Sequence, residues 1–70
     1  MKLSEVKVGE RGTINNMFIA GPDTLRVMTM GLVLGSEVKV LSRTSGSIEI
    51  SVEGSRMAID KEIASKIMVV

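Results

Sequence analysis

The stretch from Leu25 to Val40 constrains the fold more than any other part of the chain. It reads Leu-Arg-Val-Met-Thr-Met-Gly-Leu-Val-Leu-Gly-Ser-Glu-Val-Lys-Val. A helix from about Thr24 to Met30 runs into Gly31, which fits the position after a helix where the backbone turns left-handed and a Cβ is costly. Leu32-Val33-Leu34-Gly35 reads as a tight turn with Gly35 at the residue needing positive φ, and a strand follows from Glu37. Upstream, Gly21-Pro22-Asp23 breaks the chain, and Asp23 is placed to cap the helix by accepting from free backbone N–H groups. The helix is only about two turns long and apolar on more sides than one small core can cover.

The rest of the chain reads as short strands. Gly9 and Gly12 supply turns ahead of a first strand over Thr13 to Ile19, in which Asn15 and Asn16 interrupt the period and indicate a bulge or bend. Val38 and Val40 alternate with Glu37, Lys39 and Leu41, and Ile48, Ile50 and Val52 alternate with Glu49, Ser51 and Glu53, the pattern of two half-buried strands. Thr44-Ser45-Gly46-Ser47 joins them as a hairpin. Glu53-Gly54-Ser55-Arg56 leads to a third segment with Met57 and Ile59 inward. Asp60 can cap one helical turn through Ser65, and Ile67 to Val70 closes the chain as a strand.

These elements predict a mainly β, single domain spanning residues 1–70: a small SH3-like barrel of about five strands, with a short helical insertion and one helical turn before the last strand. Closing the sheet would leave fewer unpaired edges in a chain with little core. An open sheet crossed by a helix is the competing architecture. The expected core is Ile14, Leu25, Leu32, Val38, Val40, Ile48, Ile50, Val52, Met57, Ile59, Ile63, Ile67 and Val69.

Composition removes several function classes. The 70 residues include neither cysteine nor histidine, so disulfides, thiolate or imidazole metal ligands, a thiol nucleophile and an imidazole base are all missing. The scattered serines and carboxylates show no acid–base spacing, and an enzyme is not expected. Gly9-Glu-Arg-Gly12 lacks the spacing and the Lys-Ser or Lys-Thr pair of a phosphate loop. Nine basic and eight acidic residues give a net charge of +1, and there is one aromatic residue. Neither phosphate attraction nor a stacking platform is provided, so nucleic acid is not expected as a partner. No signal peptide or membrane span is legible, which predicts a soluble cytoplasmic domain without direct membrane insertion. The six methionines are soft thioethers, better suited to Cu(I) than to Fe(II), and read as flexible packing rather than as ligands. Neither a metal site nor a cofactor is expected.

Nearly the whole chain resembles the FeoA family, small proteins of ferrous iron uptake. The family pattern has an early leucine, two glycines and an isoleucine, then Arg-Leu-x-x-Leu-Gly-Leu-x-Pro-Gly-x-x-Val. Leu3, Val6, Gly9, Gly12 and Ile14 fit its first part. Arg26, Val27, Met30, Gly31, Leu32, Gly35 and Val38 fit the middle, and Met57, Ala58, Ile59, Ala64, Ile67 and Val69 the end. Three departures stand out: Leu34 in place of the turn proline, Val27 in place of the leucine after arginine, and Asp60 where the family tends to have arginine.

The resemblance implies a non-enzymatic accessory that binds the cytoplasmic GTPase region of the FeoB membrane transporter and is recruited by it to the inner face of the membrane. Spacing along the helix places Leu25, Met28 and Leu32 inward and Val27, Met30 and Leu34 outward. The expected partner surface is therefore Val27, Met30 and Leu34 with Arg26 at the rim, docking on the transporter or on a neighbouring copy, while Gly31 and Gly35 shape the turns. Two alternatives stay open. SH3-like modules of similar pattern occur at the C-terminus of metalloregulators of the diphtheria toxin repressor type, a reading weakened if the chain from Met1 is complete, and a small barrel can also bind nucleic acid.

Overall fold

A computed structural model describes all 70 residues. After a 3-10 turn at Leu3–Glu5 come β1 (Arg11–Met17), α1 (Pro22–Thr29), β2 (Glu37–Arg43), β3 (Ser47–Val52), β4 (Ser55–Asp60), α2 (Lys61–Ala64) and β5 (Ile67–Val69). The strands form one antiparallel sheet in the order β4-β3-β2-β1-β5. The expected class holds: mainly β, five strands, a helical insertion and a helical turn before the last strand.

β1 works in two halves. Residues Arg11 to Thr13 pair with β2, and residues Ile14 to Met17 pair with β5. A register shift between Ile14 and Asn16 leaves Asn15 as the extra residue, in the segment where the asparagines break the apolar period. Such a bulge bends the strand and increases its twist, and here it lets one strand serve two neighbours. β2 shifts register in the same way between Val40 and Ser42. The guanidinium of Arg43 then reaches back to the Ser4 carbonyl at 2.8 Å and to that of Val6, which ties the N-terminal turn to the sheet.

The hydrogen-bonded ladder does not close. β5 has three residues, too few to extend from β1 to β4, and α2 packs instead against β3, β4 and the N-terminal turn. The outer side of β5 meets the N-terminal residues: Lys2 bridges to Met68, and the Val69 N–H donates to the Met1 carbonyl at 2.8 Å. The arrangement is a strongly curled sheet around one core, with a single uncovered edge on β4.

Fifteen apolar side chains are buried together. Eleven of the thirteen expected core residues are among them, from Ile14 and Leu32 through Val38, Val40 and the alternating positions of β3 to Val69. Met57 is half-buried against the core's edge. Leu25 is a plain correction: it is 72% exposed, and Val27 takes the inward place at 1%. Leu3, Val6 and Ala64 also belong to the core. The N-terminal pair is inward because Arg43 and the edge of β5 hold its turn over the core of the curled sheet.

Helix α1 begins two residues earlier than expected. Gly21 is the N-cap, with φ of 67°, and Pro22 opens the helix. Proline's fixed φ and missing N–H suit the first helical position, so Asp23 falls inside the first turn instead of capping it. Its charge still sits favourably against the helix dipole. Asp60 does occupy the N-cap position of α2, although its side chain makes no capping hydrogen bond.

Gly12 pairs with Val38 of β2 and lies against the Val69 side chain of β5. A Cβ there would sit 2.9 Å from both Cβ and Cγ2 of Val69, closer than carbon atoms approach without displacement. Gly12→Ala is expected to lower stability by about 1–3 kcal/mol, the usual cost of overpacking, measured as a shift in urea midpoint at unchanged slope.

Candidate functional site

The end of α1 accounts for the main difference from the sequence reading. The Gly31 N–H donates to the Met28 carbonyl and the Leu32 N–H to the Val27 carbonyl, both at 3.0 Å, with φ of 87° at Gly31. This is a Schellman motif, whose left-handed residue reverses the chain and brings the residue after it against the side chain four positions into the helix end. That pair is Leu32 and Val27, both buried. Placing Leu25, Met28 and Leu32 on one stripe carries the helical period through Gly31, where the helix has already stopped. With Val27 inward, Leu25 and Met28 turn outward.

The next turn is fixed by backbone bonds to β1. The Gly35 N–H donates to the Ile14 carbonyl at 2.8 Å, and the Ile14 N–H donates to the Ser36 carbonyl at 2.9 Å. Gly35 has φ of 92°, as its role in the turn requires. Ser36 is buried, and its hydroxyl donates to the Gly31 carbonyl at 3.1 Å, bracing the turn from within. Both glycines thus hold a left-handed backbone at a turn.

Between α1, this turn and the chain leaving β1 lies an apolar groove of about 280 Å³. Val27 and Leu32 form its floor, Met17 and Ile19 line it from the β1 side, and Met28, Val33, Leu34 and Thr24 complete its wall. Met28 is 55% exposed and Leu34 65%, so the rim presents large apolar side chains to water. Of the four expected partner-binding residues, Leu34 stands at the rim and Val27 at the floor. Val27 is thus not a surface residue. Arg26 is exposed but does not line the groove, and Met30 is half-buried against the core. Met28 and Val33 were not expected at the site. The signal that locates them is Gly31 itself, once its hydrogen-bond pattern is used to set the helix rotation.

A second, wholly polar depression on the outer sheet face is lined by Arg11, Glu37, Lys39, Ser51, Glu53 and Gly54. Its ion pair, Arg11 to Glu37 at 3.5 Å, is well exposed on both sides and contributes little. No three carboxylates, histidines or cysteines converge anywhere to form a metal-binding group, and no helix is long and apolar enough to cross a membrane.

Comparison with known proteins gives these features a context. The FeoA domain description matches residues 1–70, the entire chain. The chain belongs to the FeoA family. A Methanocaldococcus jannaschii protein provisionally named Fe(2+) transport protein A is 34% identical over 67 residues, covering 96% of this chain and 82% of that protein. The crystal structure of an iron uptake regulatory protein, FeoA, is 34% identical with a TM-score of 0.90, covering 99% of this chain and 93% of the other. Stenotrophomonas maltophilia FeoA complexed with zinc, described as a procaryotic SH3 domain protein, is 21% identical with a TM-score of 0.82 and shares the fold, over 100% of this chain and 89% of its own. A manganese-dependent transcriptional repressor complexed with manganese contains the same fold at 28% identity and a TM-score of 0.90, over 100% of this chain but 35% of its own. This FeoA domain thus has the SH3-like architecture expected of it.

The reversed helix face makes a direct test. Val27→Ala is expected to cost about 1.5–3 kcal/mol of stability through lost burial and a residual cavity. Leu25→Ala should stay within about 0.5 kcal/mol of the parent, as at other exposed positions. Equilibrium urea unfolding of the two variants distinguishes the observed helix rotation from the opposite one.

Proposed function

We propose that this chain is a non-enzymatic accessory of ferrous iron transport that docks its α1 groove on the cytoplasmic GTPase region of a FeoB-type transporter. Membership of the FeoA family supports the transport role. The groove supports docking: two exposed rim residues, Met28 and Leu34, flank a floor that is already rigidly packed. An apolar segment of the partner laid between them would bury both rims without reorganising the domain. Full burial of one such side chain is worth about 1.5–3 kcal/mol, enough for two of them to dominate a modest interface.

In this reading the domain acts in the cytoplasm and is brought to the membrane by its partner. Iron is the cargo of the transporter and is not held by this chain. The tight turn from Gly31 to Ser36 gives the rim its position, since the Gly35 N–H and the Ser36 carbonyl are both bonded to Ile14 of β1. Arg26 lies outside the groove and is assigned no contact.

The test is binding to the isolated GTPase region, with and without guanine nucleotide. Leu34→Glu and Met28→Glu should each weaken binding by about 10- to 100-fold, the loss expected at a central apolar contact. Unfolding midpoints should stay near the parent value because both side chains are exposed. Unchanged affinity in both folded variants would exclude the groove. A charge at Val27 is not a usable probe, since that residue is in the core.

A further inference from the structure

The uncovered edge of β4 has a definite hydrogen-bond pattern. β3 and β4 are joined by the two residues Glu53 and Gly54, both with positive φ, at 52° and 85°, which is a type I′ hairpin. In that hairpin Val52 and Ser55 form a hydrogen-bonded pair, and such pairs then recur at every second position. The Lys61 N–H donating to the Gly46 carbonyl at 3.1 Å falls on the same series at the other end. Ser55, Met57 and Ile59 therefore turn their backbone groups toward β3. Arg56 and Ala58 direct their N–H and C=O groups, and Asp60 its N–H, away from the sheet, where no strand meets them.

All three of these residues are also exposed. Their order is base, small residue, acid. We propose that this edge pairs antiparallel with the β4 edge of a second copy of the chain, about a twofold axis at Ala58. In that register Ala58 opposes its own counterpart, and Arg56 of each copy opposes Asp60 of the other. The Ala58 N–H and C=O groups exchange two hydrogen bonds across the axis, each Asp60 N–H meets the Arg56 C=O of the other copy, and both charged positions find their complement twice. A twofold interface uses one patch on both sides, so a patch must be self-complementary, as Arg56-Met57-Ala58-Ile59-Asp60 is. Ala58 keeps the axis free of bulky side chains. Beyond Asp60 the chain turns toward Gly46, on the β3 side, and leaves the edge open. The Arg56 side chain is 70% exposed, with a 3.3 Å contact to Glu49 on the neighbouring strand, and lies on the face where the second copy would place its acid.

The contact is small, a strand pair with two exposed ion pairs, so association is weak, with a dissociation constant of about 0.1–1 mM. It is independent of the groove and leaves the groove free for another partner.

Sedimentation equilibrium from about 10 μM to about 2 mM protein tests the pairing. The parent chain is expected to dimerise over this range. R56D and D60R each oppose like charges and should weaken self-association by at least about fivefold. An equimolar mixture of the two variants should associate more strongly than either alone, because each then offers the charge the other lacks, and the double variant R56D/D60R should return to within about twofold of the parent. Ala58→Pro removes the N–H beside the axis without touching a β3 bond and should leave a folded monomer. Leu34→Glu should have no effect. A parent chain that stays monomeric, a mixture no stronger than its components, or a folded Ala58→Pro dimer would overturn the proposal. Loss of dimer with Leu34→Glu alone would move self-association to the groove and overturn it as well.

Discussion

The backbone of Ile14 is the point on which the remaining structure turns. Its side chain is buried, its N–H and C=O both bond to the turn that follows α1, and its strand partner is Val69 of β5. One residue on, the extra Asn15 bends β1 away from β2. Without that bend a chain of this length could not place β2 and β5 on either side of one strand while bringing the helix connection back across it. The close approach of Gly12 to Val69 belongs to the same crossing, and explains why a side chain cannot be added there without moving a strand.

Much of this was legible from local chemistry. Alternating valines and isoleucines gave β2 and β3 their inward faces, the two asparagines marked the bend in β1, and Gly31 and Gly35 marked the turns. Helix α1 was read with the wrong rotation, for a physical reason. Periodicity assigns faces only while the helix continues, and with two turns the choice between Leu25 and Val27 depends on one or two residues. The residue that decides it is Leu32, beyond the helical end, through its hydrogen bond to Val27. The burial of Leu3 and Val6 is not legible for a different reason: a 3-10 turn has too few residues to show a period, and the Arg43 contacts that hold it come from far along the chain. The apolar groove follows from the same rotation: Leu34 stands at its rim and Val27 at its floor, and Met28 and Val33 join the lining only once Val27 is placed inward.

The surface divides its exposed chemistry between places that do not overlap. The groove beside α1 is apolar and concave, with its rim supported by a fixed turn. The β4 edge is a line of backbone donors and acceptors with ordered charges. The two surfaces differ in kind, one suited to burial and the other to directional bonding, so occupation of one would have no direct steric reason to exclude the other.

The turn after α1 is held almost entirely by main-chain atoms and the small hydroxyl of Ser36. Val33 and Leu34, which it displays, contribute little to holding it. Backbone shape and surface chemistry are thereby uncoupled: substitutions at those two positions can change the lining of the groove while the loop keeps its course. A domain of this size has little stability to spare, and such a loop allows its specificity to change without drawing on the core.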